Sequence, residues 1–144
     1  MNEVLNNHLT KSRKIRIEII NVLYKYELLE KNILLDKLFE EEKELSNEAF
    51  KKIEAISKNY NFFKETISLF LNNNWQWNRI SPLIRAILIL AAFEMMIIDQ
   101  PKIVINEAIE ITKMYFDKDN EYKMVNAILE NIYKYYLKNE LLNK

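Results

Sequence analysis

Residues Pro82 to Ile98 read PLIRAILILAAFEMMII, and this stretch decides the fold. It is apolar almost throughout, but Arg85 and Glu94 interrupt it. It is also shorter than the roughly 20 residues that a membrane-spanning helix needs, so it reads as a buried core helix. Ser81 can cap its free N–H groups, and Pro82 takes the first helical position, where a missing N–H costs nothing. The helix is expected to end near Asp99-Gln100, and Pro101 opens another that runs to about Phe116. The polar stretch Asp117 to Glu121 reads as a loop. A last helix follows from about Tyr122 to Leu137, with Val125, Ile128, Leu129, Ile132 and Tyr136 turned inward.

Working towards the amino end, Asn72-Asn73-Asn74 is the best boundary between two lobes. Before it lie a helical run with Phe63, Ile67 and Phe70 and a helix with Phe50, Ile53, Ile56 and Tyr60. The latter has a start signal at Ser46-Asn47-Glu48, where a side-chain oxygen can cap and an acid sits in the positive first turn. A short helix spans about Leu34 to Glu44. Helix 1, about Ser12 to Glu30, has two apolar faces. Ile15, Ile19, Val22, Tyr26 and Leu29 lie on one, and Ile17, Ile20, Tyr24 and Leu28 on the other. A helix apolar on both sides is most simply sandwiched between others, so it should be central. The expectation is an all-α fold of about seven helices in two packed small bundles. It forms one domain over residues 1–144, divided at about residues 74 and 75.

Composition removes many functions. The chain of 144 residues has no glycine, so neither a phosphate-cradling P-loop nor a dinucleotide-binding turn can be built. It has no cysteine and a single histidine, His8. Disulfides, thiol nucleophiles, zinc sites of the usual ligand types and nearly every Ser-His arrangement are thereby excluded. No catalytic residue, cofactor site or metal site is assigned. With 49% hydrophobic residues the chain can fill a core, which argues against disorder. The 21 basic residues balance the 21 acidic ones, so a charged partner must be met by local asymmetry. The opening MNEVLNNHLTK lacks the apolar run of a signal peptide, and the chain is read as soluble and cytoplasmic.

That asymmetry sits at Lys11, Arg13, Lys14 and Arg16, four cations in six residues with no acid until Glu18. Such a cluster resembles an RNA-binding arm, because each cation that displaces a counterion from phosphate adds salt-dependent affinity. The blander reading is a solvated turn. Cations at a helix start oppose the macrodipole, so helix stability does not account for them there. The acidic residues between Asp36 and Glu48 read as a solvated face. His8 reads as idle in a polar, frayed tail, and Trp75 as a plug in the core between the lobes. Asn106, Glu107 and Glu94 lie in apolar surroundings and need partners, for which Arg85 and Lys113 are candidates.

The stretch NWQWNRISPLIRAILILAAFEM, Asn74 to Met95, resembles the signature of the NusB family. There a Trp is followed by an Arg, a capped turn and an ILRLA-x-YEL helix. Residues Pro101 to Ile132 are similar to its second signature, P-x-x-V-x-INEA followed by S-x-K-F-VNG. Matching residues include Trp75, Arg79, Arg85, Ala91, Glu94, Pro101, Asn106, Glu107, Lys123, Val125 and Asn126. Leu23-Tyr24 falls at the place of a matching pair in helix 1, and the resemblance is absent from about Asn32 to Asn73. The sequence departs from the pattern at Met124, where the family has Phe, and at Ala127, where it has Gly. It also carries Met114-Tyr115-Phe116 at a Lys/Arg-Phe-Gly helix end, Ile84 for an acid and Ile89 for an Arg.

The resemblance implies a non-catalytic, all-helical transcription antitermination factor. Such a factor pairs with the ribosomal protein NusE, holds single-stranded boxA RNA of nascent rRNA transcripts and serves the RNA polymerase elongation complex, away from any membrane. It also implies that Lys11, Arg13, Lys14 and Arg16 form the RNA arm, with a second RNA-proximal region at Asn120, Tyr122, Lys123 and Met124. The changes at Ile84 and Ile89 would remove charges near the partner's dock. Replacing Arg13, Lys14 and Arg16 by Ala is expected to weaken RNA binding without lowering stability. Two other readings remain: an RNA-binding module that serves an rRNA methyltransferase in trans, and a homodimerising helical bundle.

Overall fold

The computed structural model describes residues 3–72 and 76–142, and of residues 3–10 only the helical backbone. Among the described residues there are no strands. Seven α-helices follow one another: α1 Glu3–Leu29, α2 Leu35–Glu41, α3 Asn47–Lys58, α4 Tyr60–Leu69, α5 Pro82–Ile97, α6 Pro101–Tyr115 and α7 Asp119–Lys138. A single 3-10 turn, Trp77–Arg79, precedes α5. The expected Trp75 plug lies outside the described residues.

Helix α5 is the axis of the molecule. Every side chain from Ile84 to Met95 is buried, and α1, α3, α4, α6 and α7 all pack on it. Burial on all sides explains why this segment shows no polar face. Helix α1 packs on both α3 and α5 and buries Ile19, Ile20, Val22 and Leu23 between them, as its two apolar faces predict. The faces do not extend to its end, where Leu28 and Leu29 are exposed. In α7, Val125, Ile128, Leu129, Ile132 and Tyr136 are buried as expected, and the Tyr136 hydroxyl donates to the Ala92 carbonyl at 2.9 Å, fixing α7 to α5.

Side-chain caps act where serine permits. The Ser46 hydroxyl accepts from the Ala49 N–H, and Ser81 accepts from the Leu83 N–H, each at 3.2 Å. Ser46 also donates through its hydroxyl and its backbone N–H to the Glu18 carboxylate, which ties the start of α3 to α1. Without glycine, the ends of α1 and α7 place Glu30 (φ 52°) and Glu140 (φ 55°) in the left-handed region. At each end a later N–H closes back on the helix, Lys31 to the Tyr26 carbonyl and Leu141 to the Tyr136 carbonyl. A non-glycine residue there costs roughly 1–2 kcal/mol, and the recovered hydrogen bonds offset part of it.

Two helix starts differ from the sequence reading. Helix α1 begins at Glu3, so the backbone at His8 is helical and the expected frayed tail is not found there. The polar opening simply carries too little apolar periodicity to read as helix. Helix α7 begins at Asp119 rather than Tyr122, with Asp119 and Glu121 in its positive first turn.

Candidate nucleic-acid interface

Because α1 begins at Glu3, Lys11 to Arg16 lie more than two turns inside it, beyond the reach of the end dipole. The unfavourable placement expected for these cations disappears. Along this segment the four divide by direction. Lys11 and Lys14 are exposed and form no ion pair among the described residues. Arg13 and Arg16 turn towards α5 and α6.

Arg13, 38% exposed, grips the Glu107 carboxylate with two donors, Nε at 3.2 Å and Nη2 at 2.8 Å. The hydrogen bonds that Arg13 donates to the Glu107 carboxylate raise the guanidinium above its already high ordinary value. Arg16 is only 14% exposed, and its Nε donates to Glu94 Oε1 at 2.9 Å, with Nη1 3.7 Å from Glu107. The other Glu94 oxygen accepts from Lys52 Nζ at 3.2 Å. Glu94 is 1% exposed, so its charge is tolerable only through these two cations. Arg85 and Lys113 are therefore not the partners of Glu94 and Glu107, which the sequence reading considered. Asn106 is exposed and makes no demand on the core.

Arg85 serves a different cluster. Its Nε donates to Glu27 Oε1 at 2.8 Å, Nη1 donates to the carbonyls of Trp77 and Ile80, and Nη2 donates to the Glu27 carbonyl. The Tyr60 hydroxyl donates to the other Glu27 oxygen at 2.6 Å. Sequence reasoning missed Glu27, although a signal exists: Arg16, Ile20, Leu23 and Glu27 recur at steps of four, three and four, one helical face with a charge at each end.

The second segment, at the start of α7, is linked to the first through one stripe of α6. Glu107 holds Arg13, and the neighbouring Glu110 adds to the field on Arg13. Lys113 Nζ lies 3.7 Å from Glu110 and 4.6 Å from the centre of the Tyr122 ring. Lys123 is exposed nearby in sequence. Asn120 and Met124 instead border an apolar groove against Phe70 and Leu71, and Met124 packs partly on the core. The eight residues singled out thus do not form one patch.

The NusB family profile matches residues 13–134. The chain belongs to the NusB family. It is 36% identical over 126 residues to the transcription antitermination protein NusB of Campylobacter jejuni, which covers 84% of this chain and 94% of that one. The NusB of Helicobacter hepaticus is 30% identical over 131 residues, covering 87% and 83%. The solved structure of T. maritima NusB superposes with a TM-score of 0.70 at 30% identity, covering 85% of this chain and 89% of that one. The family is one of transcription factors rather than enzymes.

Glu107, in the stretch Ile105-Asn106-Glu107-Ala108, is the clasp on Arg13, and Glu94, in Phe93-Glu94-Met95, is the clasp on Arg16. Ile84 and Ile89, expected near a partner's dock, lie instead inside the core, 1% and 0% exposed, where their apolar side chains fill α5's packing. Among the described residues no helix is long and apolar enough to cross a membrane.

Proposed function

We propose that the chain is an RNA-binding transcription antitermination factor that acts in the cytoplasm. With ribosomal protein NusE it holds the boxA element of nascent rRNA transcripts for the RNA polymerase elongation complex. The observation that carries this reading is the NusB family match across residues 13–134.

The chemistry is binding alone. Lys11 and Lys14, exposed and without an ion pair among the described residues, offer full charges to phosphates. Arg13 can share its guanidinium between Glu107 and a phosphate, since 38% of its side chain faces solvent. Lys113, Tyr122 and Lys123 extend this surface across α6 to the start of α7, where Tyr122 brings an aromatic ring for an unpaired base. Arg16 acts indirectly, by clasping Glu94 and fixing α1 against α5. Phosphate contacts position a strand without reading it, so NusE completes the surface that selects the bases.

The test is a titration of boxA RNA and scrambled RNA, with and without NusE, at two salt concentrations. Weak, salt-sensitive and unselective binding is expected for the chain alone, with selectivity for boxA appearing when NusE is added. Equal affinity for the two RNAs in the presence of NusE would refute the reading.

A further inference from the structure

A cleft of about 730 Å³ opens where α1 ends, between the α3–α4 junction and the turn at Trp77, away from the arm on α1. Lys31, Lys58 and Lys64 line it, and none of them forms an ion pair among the described residues. The one unpaired carboxylate in its wall is Glu30, because Glu27 is already consumed by Arg85 and Tyr60. Three free ammonium groups against one free carboxylate make a local positive surplus on a chain of zero net charge. Confined in a cleft, such charge is focused rather than dispersed into solvent.

The wall behind the lysines is preorganised. Arg85 donates to the Trp77 carbonyl at 3.0 Å and lies 5.7 Å from the centre of its ring, while Lys64 Nζ lies 6.0 Å from the same centre. Four of the five Arg85 N–H groups are bound to protein acceptors, and one of them holds Trp77 in place. The exposed carboxamides of Asn61 and Asn78 add donors and acceptors that suit sugar and base edges.

We propose that this cleft binds the phosphodiester backbone of single-stranded RNA, as a second contact on the strand that the arm holds. Lys14 and the end of α1 at Leu29 are separated by about 22 Å along one helix, which makes α1 a straight track between the two sites. The inference rests on the RNA-binding reading above but not on boxA or NusE. Unpaired ammonium groups beside a fixed aromatic wall match a strand's phosphates and bases; an acidic protein segment would use the charges but has no base to lay on the ring.

The experiment uses the full chain carrying Trp75→Phe, so that Trp77 is the only tryptophan and reports from the cleft itself. Its emission is followed during titration with oligouridylates of about 6 and about 20 nucleotides, which contain no boxA. The longer strand should draw Lys64 from the ring and change Trp77 emission. Replacing Lys31, Lys58 and Lys64 together by Ala should abolish that change, weaken the longer strand about tenfold and make its salt slope shallower by about 2, with the urea midpoint unchanged. The shorter strand should lose far less. Failure of Trp77 to respond, or survival of the response in the triple variant, overturns the cleft. So does saturation by uridine monophosphate alone or equal competition by oligoglutamate. A Trp77 response with no boxA preference in the presence of NusE would sink the antitermination reading and leave the cleft standing.

Discussion

Two charge clusters join the helices of this molecule, and they are built on opposite plans. Around Arg85 the polar groups face one another: four of its five N–H groups donate to Glu27 Oε1 and to the carbonyls of Trp77, Ile80 and Glu27, while Tyr60 donates to the other Glu27 oxygen. Around Glu94 and Glu107 the pairs run from the core outward. Arg16 and Lys52 meet a carboxylate that is fully buried, and Arg13 meets one near the surface. The first cluster has no charge left to offer and can only hold the fold. The second ends in a half-exposed guanidinium beside two exposed lysines, Lys11 and Lys14, that form no ion pair among the described residues. The same kind of ion pair is thus structural when closed and becomes part of a binding surface when open.

This contrast is sharpest where one partner is removed. Arg85→Met should be the most damaging change, because it leaves the Glu27 carboxylate buried with only a tyrosine, at a cost of about 3–5 kcal/mol in urea denaturation. A loss under about 1 kcal/mol would mean that the cluster is not closed in solution. Glu94→Gln should cost less, about 2 kcal/mol, since the amide keeps one acceptor for Arg16 or Lys52. For the same reason, replacing Arg13, Lys14 and Arg16 together should lower stability, where the sequence alone predicts no loss. Removing Arg16 strips Glu94 of its shorter bond.

Tyr60→Phe tests the closed cluster in a second way. It should cost about 1.5 kcal/mol near neutral pH through loss of the hydrogen bond to Glu27. It should also change the alkaline response. Burial, and then the bond to Glu27, raise the Tyr60 hydroxyl in the folded chain above its ordinary value of 10.0. The unfolded chain therefore releases this proton first, so the stabilisation is complete below pH 10 and is lost as pH rises beyond it. Urea midpoints of the Phe variant should fall less steeply above pH 10 than those of the parent. Parallel slopes would remove Tyr60 from the account. At the bottom of the scale, Arg13→Ala should cost under about 1 kcal/mol, as befits a half-exposed pair.

How far all this was legible in the sequence depends on whether a signal is local. The apolar run of α5, its Ser81-Pro82 start and the Ser46 start of α3 are short-range patterns, and each was found where it was read. The amino end of α1 was missed because its residues carry no apolar period, and the start of α7 because a polar stretch read as loop although its acids suit a first turn. The pairing of Arg85 with Glu27 spans 58 residues, and that of Arg13 with Glu107 spans 94, so no spacing rule connects them. The cations of α1 were visible as residues. Which of them point outward depends on the helix's rotation against α5 and α6, and that is a property of packing.

The central claim is that RNA is held by the cations that α1 leaves free. Its most direct test is the affinity of single-stranded boxA RNA, with NusE present, for the parent chain and for the Lys11→Ala/Lys14→Ala variant across a salt series. Stability should change by no more than about 0.5 kcal/mol, since both side chains are exposed and neither has an ion-pair partner among the described residues. The account predicts weaker binding at low salt and a salt slope reduced by about 1.4, the contribution of two single-strand phosphate contacts. Superimposable binding curves for the two proteins would contradict it.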